Sequence, residues 1–374
     1  MKLTVLQQDL LPALQAVSRS VGVRSALPVL ANILIQTESG KLKLSATNLE
    51  LGVIKEINCQ VIEEGEVSIP AKIFLEVITS LTGANIELEA SLDQLKISTS
   101  SFKADLNGIP ASEFPAIPLA SDQFILVDAM LLKKALPEIT FAAAADEGRP
   151  VLTGILTEIK QGSLELVATD GFRLAHCKLA LKTTENFKAL IPRKTFEEIV
   201  RLIEEELATS AKGSEAEKVH IATSENQNQI IFKIGQTQLS SRLIEGQFPA
   251  WEKIIPQKLE NRTIVDRVEL LKAVKLSSVF AKDAANITKI ETEEGKIVLS
   301  SQTKELGKQQ TEMDAQTEGI KISIAFNSKF LIEALSACPS SQVSIEFSGN
   351  LSPALIKPIG EEGLEYIIMP IRLS

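Results

Sequence analysis

Apolar residues fall at Leu10, Leu14, Val17 and Val21, the i, i+4, i+7 and i+11 spacing of one helical stripe, after a short run over residues 2–6 that reads as a strand. The pattern then changes to that of strands, predicted at residues 30–36 and 41–46 with Ser39-Gly40 as the turn between them. The same order of signals returns twice. Leu132, Leu136, Ile139 and Ala143 repeat the stripe behind Asp128, a side chain suited to capping a helix start, and strands follow at 154–159 and 163–168 around Gln161-Gly162. Leu270, Val274 and Ala281 share a face behind Asp266, with strands at 287–291 and 296–300 around Glu294-Gly295. Pro137 lacks an amide donor and is expected to kink or shorten the second helix.

Each unit also has a second half in which a strand runs into a helix. Residues 67–72 precede an apolar stretch at 74–81, residues 189–194 precede 196–207, and residues 324–329 precede 330–337. Two units close on a Phe-Pro pair, Phe114-Pro115 and Phe248-Pro249, which places boundaries near Ser121 and Pro256. A short motif recurs as well. The run Val167-Ala168-Thr169-Asp170-Gly171-Phe172-Arg173-Leu174 is matched by Leu44-Ser45-Ala46-Thr47-Asn48-Leu49-Glu50 and, more faintly, by Leu299-Ser300-Ser301-Gln302-Thr303. A repeat of roughly 120 to 140 residues is too long for a solenoid unit and reads as a domain. The expected fold is α+β, three similar domains of helices packed on antiparallel sheets, over residues 1–121, 122–256 and 257–374.

Length and composition agree with this reading. A chain of 374 residues with 44% hydrophobic and 23% charged residues is that of a folded, multidomain protein. Cys59, Cys177 and Cys338 are odd in number and far apart, which fits neither a disulfide framework nor a metal cluster and suggests a reducing compartment. Gln7, Gln8 and Asp9 interrupt any apolar leader, and no stretch is long enough to span a membrane, so a cytoplasmic location without membrane attachment is expected. The formal net charge of −9 argues against a surface that grips nucleic acid everywhere. The helical segments come out near neutral, so the acidic excess lies on strands and loops.

Catalytic signatures are missing. There is no phosphate-binding Gly-rich loop, no Gly-x-Ser-x-Gly elbow and no His-Glu-x-x-His helix. His176 and His220 are the only histidines, and Asp170 lacks an obvious carboxylate partner, so an enzyme is not expected. No cofactor or metal is implied. The last residues, from Tyr366, are apolar for a terminus; they read as a final strand of the third sheet whose end lines a groove for a partner peptide.

Three units in one chain, the run from Ala168 to Leu174, Ile191-Pro192-Arg193-Lys194 before a helix, Gly246-Gln247-Phe248-Pro249, and the ending Met369 to Leu373 together resemble the bacterial DNA polymerase III beta subunit family, the sliding clamps. The similarity covers essentially the whole chain. It implies the DNA clamp fold: a head-to-tail homodimer closed into a ring, with helices lining the hole and sheets outside. It places Leu106, Val279 and Phe280 at the dimer junction, and Arg24, Arg149, Arg193 and Lys194, with Lys72 behind them, among the cations facing duplex DNA. It also implies a peptide groove between the second and third domains. By position its residues are Leu152, Thr169, Gly171, Phe172, Arg173, Leu174, Pro249, Lys253, Ile254, Asn327, Phe330, Leu351, Pro353, Ile367, Ile368, Met369, Pro370, Ile371 and Arg372. Arg173 and Arg372 would fix the polar ends of leucine- or phenylalanine-anchored peptides from the replicative polymerase, the clamp loader and repair proteins. Phe172 stands where some relatives have histidine, Lys253 replaces an arginine and Ala285 a phenylalanine, so peptide preference is expected to differ.

The resemblance implies a processivity factor that encircles DNA, slides along it and tethers partners. A β-rich adaptor that binds peptides without encircling DNA is the competing reading, favoured by the acidic total charge. A hydrolase acting through Asp170 is a distant third.

Overall fold

The computed structural model describes residues 1–22, 27–119, 124–146, 148–209, 213–224, 228–281, 286–303 and 307–372. Among them are six α-helices: α1 (Gln7–Ser18), α2 (Ala71–Ser80), α3 (Ala129–Thr140), α4 (Arg193–Thr209), α5 (Arg267–Ala281) and α6 (Ser328–Ala337). None is long and apolar enough to cross a membrane.

The apolar stripes bury as expected. Leu10, Leu14 and Val17 of α1, Leu132, Leu136 and Ile139 of α3, and Leu270, Val274 and Ala281 of α5 are all buried. The stripes outrun two of the helices. α1 closes at Ser18 with a tightened bond from Ser20 N to Val17 O at 3.0 Å, leaving Val21 outside. α3 runs through Pro137 and ends at Thr140, where Ala142 N and Ala143 N reach back only three residues, so Ala143 is buried but not helical. Both capping expectations hold: Asp128 Oδ1 accepts from Leu131 N at 2.9 Å and Asp266 Oδ1 from Glu269 N at 2.9 Å. Ser39 and Gly40, like Gln161 and Gly162, have positive φ at both central positions, the type I′ geometry that matches the twist of a hairpin.

The chain divides into two compact units. The first comprises residues 1–133 and 198–243, the second residues 134–197 and 244–374. In the first, an eight-stranded antiparallel sheet runs in the order Ile125–Asp128, Lys218–Thr223, Gln229–Ile234, Thr237–Arg242, Leu51–Asn58, Lys41–Thr47, Asn32–Glu38 and Glu66–Pro70. A five-stranded sheet, Gln60–Glu63, Lys2–Leu6, Asn85–Ser91, Gln94–Ser98 and Lys103–Asn107, accompanies it. In the second unit a nine-stranded sheet runs in the order Phe187–Pro192, Gly154–Lys160, Ser163–Thr169, Arg173–Ala180, Leu364–Ile368, Ala354–Pro358, Gln342–Phe347, Asn261–Asp266 and Gln316–Gly319. Its companion has four strands, Gly307–Asp314, Lys296–Thr303, Ile287–Glu293 and Ser323–Asn327.

Both large sheets are shared between repeat copies. In the first unit Leu51–Asn58, the strand after the first copy's hairpin, pairs with Thr237–Arg242, the last strand of the second copy, in the register Leu239↔Val53. In the second unit Arg173–Ala180, the corresponding strand of the second copy, pairs with Leu364–Ile368, the last strand of the third, in the register Ala175↔Tyr366. Each seam satisfies the backbone of two strands that would otherwise be open edges. Buried polar groups stitch the seams: Lys55 Nζ and Thr237 Oγ1 both donate to Glu206, and His176 lies between Glu165 and Glu365. Gly52 lets the first seam pack closely: a Cβ there would sit 3.0 Å from Ile117 and 3.1 Å from the Ser240 hydroxyl, so one of those side chains would have to shift.

Because Glu206 is nearly fully buried, removing it strands Lys55 without a counter-charge. Glu206→Ala should lower the stability of the first unit by about 3 kcal/mol, with a smaller loss for Glu206→Gln, which keeps an acceptor for Thr237. Urea unfolding reads this directly, and an unchanged midpoint for Glu206→Ala would show that the seam does not depend on this bridge.

Candidate functional site

The recurrent run folds as a locked turn between Ser163–Thr169 and Arg173–Ala180. Thr169 Oγ1 donates to Arg173 O at 2.6 Å and accepts from Gly171 N at 3.0 Å, while Asp170 Oδ1 accepts from Phe172 N at 2.9 Å and Arg173 N at 3.0 Å. The first copy forms the same lock: Thr47 Oγ1 donates to Leu51 O and accepts from Leu49 N, and Asn48 Oδ1 accepts from Glu50 N and Leu51 N. A short oxygen-bearing side chain at this position bonds backbone two residues on, which explains the Asx at both sites. Gly171 takes φ +91, and a Cβ there would approach the Arg149 guanidinium to 3.1 Å.

Arg173 holds the turn against the rest of the second unit. Its Nε donates to Asp170 at 3.0 Å, its Nη2 to Phe141 O at 2.9 Å, and its Nη1 pairs with Glu333 on α6. The guanidinium also lies 4.8 Å from the Phe330 ring centroid and 5.2 Å from that of Phe141. Phe172, 58% exposed, stacks on Phe330 at 6.2 Å. The chain after Leu364–Ile368 is fixed by Met369 N to Phe172 O at 2.9 Å and Ile371 N to Ala325 O at 2.7 Å. The tail thus bonds both the locked turn and a strand of the third copy. Below it Leu156, Val167, Leu174, Leu190, Trp251, Leu355 and Ile367 form one buried cluster, covered by half-buried Val151, Ile244, Phe248, Ile254 and Ile255.

The structure brings many of the expected groove residues together and redistributes their roles. Phe172 stacks on Phe330 and its carbonyl holds Met369, while Ile371 is tied to Ala325; Leu174 and Ile367 belong to the buried cluster. Leu152, Thr169 and Ile368 are buried too. Lys253 and Ile254 sit on a short 3-10 turn, Trp251–Ile254, anchored by Trp251 N to Pro249 O at 2.8 Å. Asn327 caps α6 by accepting from Lys329 N. Leu351 and Pro353 precede the Ala354–Pro358 strand, with Leu351 exposed. Pro370 lies half-buried in the tail, and Arg372 is exposed. Arg173, expected to hold a peptide's polar end, is instead buried and spends its guanidinium inside the protein. Trp251, Phe248, Ile244 and Val151 were missing from the expectation; the Phe-Pro pair and the lone tryptophan beside it were the available signal.

Of the DNA-facing candidates, Lys72 and Lys194 stand exposed at corresponding positions in the first turns of α2 and α4. Arg193 pairs with Glu197 at 2.7 Å, and Arg149 donates from Nη2 to Asp170 O at 2.8 Å. Arg24 lies outside the described residues, as does Ala285. Leu106 is on the open edge strand Lys103–Asn107; Val279 is 59% exposed on α5 beside half-buried Phe280. No group of three or more metal-ligating side chains occurs among the described residues. Asp170 is committed to backbone and Arg173, and burial pushes the Cys177 thiol up to about 12, which leaves neither available as a reactive group.

Matching the chain against known proteins gives a consistent result. Three family models match in order: DNA polymerase III beta subunit, N-terminal domain over residues 1–118, central domain over 126–250 and C-terminal domain over 252–372. The beta sliding clamp of Synechococcus elongatus is 31% identical over 382 residues, covering 100% of both chains, and that of Staphylococcus aureus is 29% identical over 385 residues, covering 100% of this chain and 99% of the other. The solved DNA polymerase sliding clamp of Bacillus subtilis superposes with a TM-score of 0.93 at 26% identity, and the Thermotoga maritima DNA polymerase III beta subunit with 0.90 at 28%, each covering 100% of both chains. The fold is therefore that of the DNA clamps. The chain belongs to the DNA polymerase III beta subunit family, the beta sliding clamps.

The cluster supplies its own reporter. Trp251, the only tryptophan, lies 4.6 Å from the His176 ring. Burial opposes charging that imidazole, but hydrogen bonds to Glu365 and Glu165 outweigh it and raise its pKa; the same contact lowers that of Glu365. The doubly bridged imidazolium therefore stabilises the fold at acid pH, and this contribution fades as pH rises through the raised value. Trp251 emission, quenched by the charged ring, should rise in one step centred above pH 6.5. His176→Gln should abolish the step; a step that persists would place the titrating group elsewhere.

Proposed function

We propose that this chain is a DNA polymerase processivity factor that works as a head-to-tail homodimeric ring around duplex DNA, and that it is not an enzyme. The carrying observation is a pair of unsatisfied edges. Within the chain, the strand after the hairpin of one copy pairs with the last strand of the next, at Leu51–Asn58 with Thr237–Arg242 and at Arg173–Ala180 with Leu364–Ile368. The third copy's equivalent, Gly307–Asp314, and the first copy's last strand, Lys103–Asn107, both end their sheets with no further strand beside them among the described residues. A second copy of the chain supplies the missing partner for each, giving a heterologous contact that closes when two chains complete the circle. Leu106 lies on one of these edges, while exposed Val279 and adjacent Phe280 add apolar surface on α5.

The three domains are taken as residues 1–121, 122–256 and 257–374, a division supported by the three matched family segments. DNA contacts fall to Lys72, Arg149, Arg193, Lys194 and Arg24. Enclosure makes tight binding unnecessary: a few phosphate contacts suffice, and a net charge of −9 discourages adhesion to DNA elsewhere on the surface. Partners such as the replicative polymerase, the clamp loader and repair proteins dock short peptides on Phe172, Phe330 and the 367–372 tail, above the Trp251 cluster, in the cytoplasm. An adaptor that does not enclose DNA finds no support in a family match spanning all three domains.

Loaded protein should stay on nicked circular DNA and run off once the circle is linearised; equal loss from both would reject enclosure. Val279→Asp should shift the solution mass toward that of one chain and abolish retention. Removing residues 369–374 should weaken binding of leucine-anchored peptides by tenfold or more while leaving the mass at two chains. Unchanged affinity would put the groove elsewhere.

A further inference from the structure

The first copy has an open cleft where the second copy has a covered cluster. A single constant offset in numbering carries Pro28-Val29-Leu30 onto Pro150-Val151-Leu152, Thr47 onto Thr169, and Ser68 onto Leu190. The backbone repeats this correspondence. Ile109 N donates to Ser68 O at 2.9 Å, and Ile244 N to Leu190 O at 2.9 Å. In the second copy Val151 and Ile244 pack over the Trp251 cluster beside the groove. In the first, the equivalent residues Val29 and Ile109, with Leu27, Leu49, Pro115 and Glu113, line a cavity of about 410 Å³.

Two features mark this cleft as a receptor. Leu49 occupies the position of Gly171 in the locked turn and takes φ +75, a conformation that bulky L-residues rarely adopt. Its side chain is held there 52% exposed at the mouth, facing the same cavity as Leu27, which is 51% exposed. Strained backbone that presents an apolar side chain to solvent is the kind of feature retained for a ligand. Pro28, Pro110 and Pro115 stiffen the walls, which reduces the ordering that a ligand must bring about.

The charge is opposite to that of the other site. Glu113 is the only charged side chain among the described lining residues, whereas the groove proposed for the second copy includes the exposed cations Lys253 and Arg372. We infer that the first copy holds a second docking site, for a short extended peptide that places a leucine or phenylalanine side chain in the cleft and an adjacent lysine or arginine against Glu113. This inference rests on the reading of the second-copy groove as a peptide site.

Two fluorescein-labelled probes test it by anisotropy against the full chain: Gly-Leu-Phe-Lys-Lys-amide and Gly-Leu-Phe-Glu-Glu-amide. With residues 369–374 removed, the lysine probe should still bind, at least fivefold tighter than the glutamate probe, and Leu49→Glu should weaken it at least tenfold. Glu113→Lys should reverse the preference between probes, which keeps the test decisive if Leu49→Glu disturbs folding. The inference is overturned if the truncated protein binds neither probe, if Leu49→Glu changes nothing, or if the two probes bind equally. It is also overturned if the cleft mediates self-association, seen as a concentration-dependent mass increase that Leu49→Glu removes. Peptide binding that is sensitive to Leu49 but indifferent to the 369–374 truncation counts against the second-copy groove and leaves the first-copy site standing.

Discussion

Antiparallel pairing between copies underlies every other feature of the molecule. A sheet built from one copy alone exposes unpaired amides and carbonyls at both edges, and such edges either pair or aggregate. This chain resolves the problem by joining Leu51–Asn58 to Thr237–Arg242 and Arg173–Ala180 to Leu364–Ile368, so that two sheets of eight and nine strands replace shorter ones. The seams bury charge as well as backbone. Lys55 with Glu206 at one and His176 with Glu165 and Glu365 at the other are polar groups whose partners come from another strand or another copy, so misregistry leaves them unpaired.

The same economy shapes the proposed groove. Its centre is a five-residue lock that the first copy also uses, with Thr47-Asn48 in place of Thr169-Asp170. The two copies diverge immediately after those two residues. The second copy has Gly171, which admits the Arg149 guanidinium, then Phe172 and Arg173, whose rings and guanidinium reach Phe330, Phe141 and Glu333. The first copy has Leu49, Glu50 and Leu51 and leaves a cleft instead. One backbone device thus supports two surfaces of different chemistry.

Electrostatics fits a protein held by enclosure. Two helix cations outside the proposed DNA contacts are already committed, Arg19 to Glu198 and Glu205 and Lys133 to Glu204. Lys72 and Lys194 stand exposed, as the phosphate contacts proposed for them require. Cations few in number and long in reach favour sliding over fixed binding, because each contact is weak and quickly exchanged.

Most local structure was legible in the chain. The helical stripes, the Asp128 and Asp266 caps, the positive-φ hairpin turns at Ser39-Gly40 and Gln161-Gly162, and the repetition itself follow from residue period and turn chemistry within a few positions. Helix ends were less legible, since Val21 and Ala143 continue the apolar pattern after the backbone has tightened and left the helix. The choice of which edges pair emerged only in three dimensions, because every strand edge offers the same amides and carbonyls and sequence does not rank them. Folding alone gave Arg173 its internal partners, since Phe141 and Glu333 lie far from it along the chain. It also placed Trp251 beneath the groove and His176 between two carboxylates, arrangements set by long-range packing and not by neighbours in sequence.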